Sequence, residues 1–152
     1  MTEDSAILIV EDNEDDVVLT RRSLKIAGVT NPLFIVDTGP DAVDYLAGTN
    51  AFQDRAKHPL PAVVFLDLKL PMMSGHEVLS WIRSQRHLDA MSVVVLTSSN
   101  EPSDLRRCYS LGANSYLVKP LTAQQLRELA KAFQWPWFKT EAAPASAATP
   151  AK

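Results

Sequence analysis

Ala62-Val63-Val64-Phe65-Leu66-Asp67-Leu68-Lys69-Leu70-Pro71 is the stretch that decides the fold. Five apolar residues run straight into a carboxylate, and a proline follows four positions later. An unbroken apolar run with β-branched and aromatic members reads as a strand buried on both faces. Such strands belong to parallel sheets covered by helices, where ligands sit just outside the carboxyl ends of the strands. Asp67 ends the run and therefore stands at that rim. A single Asp after a strand also serves as a turn or cap residue, so the rest of the chain has to decide between the two roles.

Upstream, Ala6 to Val10 is a second apolar run that ends in acid, Glu11-Asp12. Asn13 can cap the helix that follows, with Asp15 and Asp16 at its positive end, and Gly28 stops it. That helix carries a blurred apolar face, because Val17, Val18 and Leu19 are consecutive. Leu33 to Val36 is a short strand. Thr38-Gly39-Pro40-Asp41 opens a second helix, with the hydroxyl as cap and proline in the first turn. Thr49 to Pro61 is polar and proline-bearing, and reads as a long loop.

Downstream, Pro71-Met72-Met73-Ser74-Gly75 is a turn, and Val78, Leu79 and Ile82 mark the inner face of a third helix. Ser92 to Leu96 is a fourth apolar run, finishing in Thr97-Ser98-Ser99. A fourth helix follows Asn100-Glu101-Pro102, with Leu105, Cys108 and Tyr109 expected inside from their i, i+3, i+4 spacing. Ser115 to Val118 is a fifth strand, ending in Lys119-Pro120. Thr122-x-x-Gln125 is a capping box, and Leu126, Leu129, Ala130 and Phe133 give the last helix its stripe.

Five strands alternating with five helices predict a doubly wound α/β fold: a flavodoxin-like parallel sheet, order 2-1-3-4-5, with helices on both faces. The chain of 152 residues suits one folded domain, taken as 1-138, with 139-152 as a disordered Ala/Pro-rich tail too poor in large apolar side chains to fold. The tail is too short for an output domain, so a stand-alone module is expected. A net charge of -3 gives no reason to expect nucleic-acid binding. The lone cysteine, Cys108, excludes an internal disulfide and suits a reducing compartment. No signal peptide and no segment of spanning length is visible, so the expected location is cytoplasmic, away from membranes.

The strand ends carry the chemistry. Glu11 and Asp12, Asp67, Thr97 and Lys119 should share one rim. Clustered carboxylates repel unless a cation intervenes. Oxygen donors without His or Cys point to a hard ion, and a small site with room for water suits Mg²⁺. A carboxylate beside Mg²⁺, faced by a lysine and a hydroxyl, can attack a phosphoryl group and hold it as an aspartyl phosphate.

Val10-Glu11-Asp12-Asn13, Leu66-Asp67-x-x-Leu70-Pro71, Ser74-Gly75, Leu96-Thr97-Ser98 and Val118-Lys119-Pro120 together resemble the receiver domain of bacterial two-component response regulators, over roughly Ile7 to Phe133. The resemblance implies that Asp67 accepts phosphate from a phosphohistidine on a sensor histidine kinase or a histidine phosphotransfer protein. It implies that Asp12 and Asp67, with Glu11 through water and the backbone carbonyl of Lys69, hold Mg²⁺. It further implies a cis bond before Pro120, and Tyr116 as the aromatic that swings inward when Thr97 moves toward the phosphate. Lys69 and Ser99 would tune the lifetime of the phosphoryl group. The long loop, the wording Glu11-Asp12-Asn13-Glu14-Asp15-Asp16 and the aromatic C-terminal end are similar to single-domain regulators of phytochrome-type kinases.

Phe133-Gln134-Trp135-Pro136-Trp137-Phe138 is apolar enough that part of it should lie exposed and pair with a second copy, giving a homodimer together with the fourth and fifth helices. Such a module turns over no external substrate and is not an enzyme. Three rivals remain at this point. An aspartyl-phosphate phosphatase needs a second Asp two residues past the nucleophile, where Lys69 stands. A flavodoxin-type carrier needs a phosphate loop where Glu11-Asp12 would repel it. A receiver working by binding alone would not need the groups this sequence retains. His58, His76 and His87 show no ligand spacing and are given no role.

Overall fold

In a computed structural model the chain is described over residues 5–135. The sheet runs β2-β1-β3-β4-β5, built from β1 (Ala6–Val10), β2 (Leu33–Val36), β3 (Pro61–Leu66), β4 (Ser92–Thr97) and β5 (Ser115–Val118). All four pairings are parallel. The helices between and after them are α1 (Glu14–Ile26), α2 (Gly39–Ala47), α3 (Gly75–Ser84), α4 (Pro102–Ser110) and α5 (Ala123–Ala132). The expected domain limit at 138, the tail 139-152 and residues 136–138 of the aromatic segment lie outside the described residues.

All six residues of β3 are buried, because alternate side chains enter two different cores. Val64 and Leu66 join Leu8, Val10, Val93 and Val95 under α2, α3 and α4, packed on Leu46, Leu79, Ile82 and Cys108. Val63 and Phe65 join Ile7, Ile9, Val94 and Leu96 under α1 and α5, packed on Leu24, Leu126 and Leu129. Each such side chain, fully buried, is worth about 1.5–3 kcal/mol. This two-sided burial explains why β1, β3 and β4 read as continuous apolar runs rather than as an alternation.

The expected capping chemistry is present. Asn13, Thr38, Ser74 and Thr122 each accept a hydrogen bond from the backbone N–H three residues on, and Ser74/Glu77 and Thr122/Gln125 form reciprocal boxes. On α1 the buried residues are Thr20 and Leu24, while Val18 and Leu19 are exposed, which accounts for the blurred pattern.

Helix α4 departs from expectation. Cys108 is fully buried, but Leu105 and Tyr109 are exposed, at 40% and 45%. The helix is turned so that Asp104 and Cys108, one turn apart, form its inner edge. Asp104 is drawn in by Ser99, whose hydroxyl donates to Asp104 Oδ2 at 2.6 Å, and that contact leaves Leu105 and Tyr109 outside. At the end of α5, Phe133 is exposed as well, whereas Trp135 is buried against the α1/α5 core. The two rings stack with centroids 5.8 Å apart.

The 49–61 segment is more ordered than a polar loop would suggest. A 3₁₀ turn at Asn50–Phe52 brings Phe52 and His58 onto Tyr45. Arg55 reaches back to donate to the carbonyls of Tyr45 at 2.7 Å and Leu46 at 2.9 Å, satisfying the end of α2. On the other side of the α2–α4 layer, Arg83 of α3 donates to the carbonyls of Gly112, Leu88 and Met91 and to Asn114 Oδ1.

Candidate functional site

The parallel ladder continues one residue past the strands: the Glu11 N–H donates to Val36 O at 3.0 Å, and the Asp67 N–H to Val10 O at 3.1 Å. Both acids are thereby fixed by backbone, side by side at the C-terminal rim. Glu11 is buried, and its Oε2 accepts from the Asn13 N–H at 3.1 Å. Asp12 faces solvent. Asp67 is buried at 6% exposure, with Oδ1 accepting the Leu68 N–H at 2.7 Å.

The turn after Asp67 is closed by Gly75, whose N–H donates to Leu68 O at 2.8 Å. A Cβ on Gly75 would stand 2.2 Å from the Asp67 carbonyl oxygen, so only glycine allows α3 to approach this closely. Thr97 ends β4 with no exposed surface, and its Oγ1 accepts from the Ser99 N–H at 3.3 Å. Lys119 follows β5; its N–H donates to Thr97 O at 2.7 Å, and the Lys119-Pro120 bond is cis.

The Lys119 ammonium reaches across the rim to three carboxylates. Its Nζ lies 2.5 Å from Glu11 Oε1, 2.8 Å from Asp16 Oδ2 and 3.2 Å from Asp67 Oδ2. The carboxylates hold the ammonium well above the ordinary lysine range, outweighing the opposing effect of burial. Burial pushes the Glu11 carboxyl up, to about 7, with the Asp67 charge adding to the rise, while Lys119 and the Asn13 N–H pull it back. The attraction that offsets the cost of taking Glu11 out of water is shared, because Lys119 pairs with three carboxylates.

Glu11, Asp12 and Asp67 each offer an oxygen within 4.8 Å of the others. The set is all carboxylate, without nitrogen or sulfur, and one member is solvent-facing with space for water. That donor chemistry fits a hard divalent cation of the Mg²⁺ or Mn²⁺ kind. Lys69 is exposed two residues beyond Asp67. Tyr116 is buried, its hydroxyl donating to Ser99 O at 2.9 Å, so it is tied to the segment that follows Thr97. The Tyr116 phenol is pushed up by burial, an effect that hydrogen bonding at Ser99 opposes.

Glu11, Asp12, Asp67, Thr97 and Lys119 thus share one strand-end rim, with Asp67 in contact with Lys119. Two participants were not visible in the sequence. Asp16 has the look of a helix-dipole acid, yet it binds Lys119, 103 residues away. Asp104 holds Ser99 and lies 3.6 Å from His76 Nε2, a contact no ligand spacing announces. Burial, followed by Arg107, lowers the His76 pKa, against the attraction of Asp104.

The family described as response regulator receiver domain matches residues 7–131. The probable methanogenesis regulatory protein FilR2 of Methanothrix harundinacea is 39% identical over 141 residues, covering 93% of this chain and 88% of that protein. Response regulator Rcp1 of Synechocystis sp. is 32% identical, covering 92% of this chain and 93% of its own length. The Mn(2+)-bound crystal structure of Rcp1 aligns with a TM-score of 0.72 over 93% of this chain and 99% of that one. The bacteriophytochrome response regulator RtBRR aligns with a TM-score of 0.78 at 38% identity, over 96% of this chain and 86% of its own. With the fold, the rim of acids and the facing lysine already in place, these likenesses show that the chain belongs to the response regulator receiver domain family.

Proposed function

We propose that Asp67 is the phosphoryl acceptor of this receiver, loaded from the phosphohistidine of a sensor histidine kinase or a histidine phosphotransfer protein. The observation that carries the reading is the contact of the buried Asp67 Oδ2 with Lys119 Nζ at 3.2 Å, beside the Glu11–Asp12–Asp67 oxygen cluster. Oδ1 is held by the Leu68 N–H, and Oδ2 lies on the side of the Lys119 ammonium that would neutralise the incoming group, so the attack is assigned to Oδ2. The new P–O bond forms as the P–N bond to imidazole breaks, and the imidazole nitrogen leaves with the electron pair and takes a proton from solvent. Lys119 neutralises charge on the transferred group, and the Thr97 hydroxyl donates to one of its oxygens.

Glu11, Asp12 and Asp67, with the backbone carbonyl of Lys69, would hold Mg²⁺. The ion supplies neutralisation of phosphoryl oxygens and orientation of the incoming group. Lys69, two residues past the acceptor, and Ser99, two residues past Thr97, set the lifetime of the phosphoryl group. Thr97 and Tyr116 carry the state of the site outward: a pull on Thr97 displaces Ser99, and with it the hydrogen bond from Tyr116. The domain, taken as 1-138 with the tail 139-152, turns over no external substrate, acts in the cytoplasm and needs neither nucleic acid nor a membrane. No described helix is long and apolar enough to cross a membrane.

A phytochrome-type kinase is the proposed donor, on the strength of the likeness to the bacteriophytochrome regulator RtBRR. Signal leaves through a homodimer surface on α4, β5 and α5, where Leu105, Tyr109, Val118 and Phe133 are all exposed. The test is incubation with acetyl phosphate and Mg²⁺ followed by intact mass. The wild-type protein gains one phosphoryl group; Asp67→Asn and chelator-treated samples gain none. Equal uptake by Asp67→Asn refutes the assignment.

A further inference from the structure

We propose that Asp16 is a positioning residue for Lys119, the acid that holds the ammonium at the rim when the cation draws on Glu11 and Asp67; this rests on the phosphoacceptor reading above. A lysine ammonium has three N–H donors, and here three carboxylates take them: Glu11, Asp16 and Asp67. Two of the three, Glu11 and Asp67, also belong to the oxygen cluster that fits a divalent cation. Asp16 stands outside that cluster. A cation drawing on Glu11 and Asp67 weakens their hold on Lys119, and Asp16 is the partner that does not have to be shared.

Asp16 is well placed for this task. It lies in the first turn of α1, where its own N–H donates to the Asn13 cap at 3.0 Å, so its backbone is fixed relative to the β1 end that carries Glu11 and Asp12. Its carboxylate is 31% exposed, against 5% for Glu11 and 8% for Asp67, so it holds Lys119 from the solvent side of the rim. Without Asp16, the ammonium leans fully on Glu11 and Asp67 and competes with the cation for the same oxygens. Loss of Asp16 therefore weakens cation binding and slows phosphoryl uptake, both through Lys119.

The test is a double-mutant cycle read by Mg²⁺ titration calorimetry on the full chain, with phosphoryl uptake from acetyl phosphate measured alongside. Asp16→Asn should weaken Mg²⁺ binding about fivefold, and Asp15→Asn, which removes the same charge from the same helical turn, should have a smaller effect. In a Lys119→Ala background, Asp16→Asn should change Mg²⁺ affinity no further. An equal loss in both backgrounds overturns the proposal, because the effect would then be through-space charge or helix stability. No loss in the native background overturns it too. If the wild-type protein neither binds Mg²⁺ nor takes up a phosphoryl group, the phosphoacceptor reading itself falls, and the role of Asp16 with it.

Discussion

Gly75→Ala tests how tightly the proposed nucleophile, Asp67, is built into its turn. In most helical positions this change stabilises, since alanine is favoured over glycine by about 1 kcal/mol. Here the new methyl would lie 2.2 Å from the Asp67 carbonyl oxygen and 2.6 Å from Leu68 Cα, whereas ordinary contact begins near 3.4 Å. The β3–α3 turn or the first turn of α3 must retreat by about 1.2 Å, and both are backbone held by the Gly75–Leu68 hydrogen bond. Overpacking of this kind costs about 1–3 kcal/mol; set against the propensity gain, a net loss of up to about 2 kcal/mol remains, which lowers the Tm by up to about 4–8 °C. A displacement of about 1 Å at a reacting group also slows reaction by about 100-fold. The assay pairs a thermal melt with a time course of phosphoryl uptake from acetyl phosphate. A variant that melts at or above the wild-type temperature and loads at the wild-type rate would refute the reasoning.

Arg83→Lys removes a planar fork that donates to four oxygen acceptors, including Gly112 O at 2.9 Å and Asn114 Oδ1 at 2.8 Å. Urea unfolding should show a loss of about 2–3 kcal/mol with phosphoryl uptake unchanged, and a neutral result removes the clamp from the account. Because burial pushes the Glu11 carboxyl up to about 7, a proton competes with the cation there. Calorimetry should find Mg²⁺ binding weaker at pH 6 than at pH 8, with proton release on binding, and equal affinities contradict this. For His76, burial and Arg107 disfavour the charged form, so the native state resists a proton that the unfolded chain accepts near its ordinary 6.5. Stability is then present above that pH and is lost as pH falls through it, and His76→Gln should flatten the loss between pH 7.5 and 5.5 in urea titrations. An identical pH dependence in both proteins rejects the assignment.

Features written within a few neighbouring residues could be read directly. β1, β3 and β4 announce themselves by runs of apolar side chains, because two-sided burial leaves no polar alternation to confuse them. The caps at Asn13, Thr38, Ser74 and Thr122 were equally plain, since a cap and its target lie three residues apart. Parallel connection rules then limited the strand order to few choices, and that order is what gathers Glu11, Asp12, Asp67, Thr97 and Lys119 at one rim.

What remained hidden depends on partners distant in the chain. Helix α4 offers Leu105, Cys108 and Tyr109 as an apolar stripe, but the Ser99–Asp104 hydrogen bond rotates the helix and leaves only Cys108 inside. Nothing local distinguishes Asp16 from Asp15, and only the packing of α1 beside the end of β5 brings one of them to Lys119. Gly75 reads as a turn glycine, and its necessity appears only when the Asp67 carbonyl is found where a methyl would go. The sequence by itself determined the layers and which polar side chains end the strands, because periodicity and capping are short-range. Which acid holds which cation was decided by tertiary structure, because charges pair through space and the chain order does not record that distance.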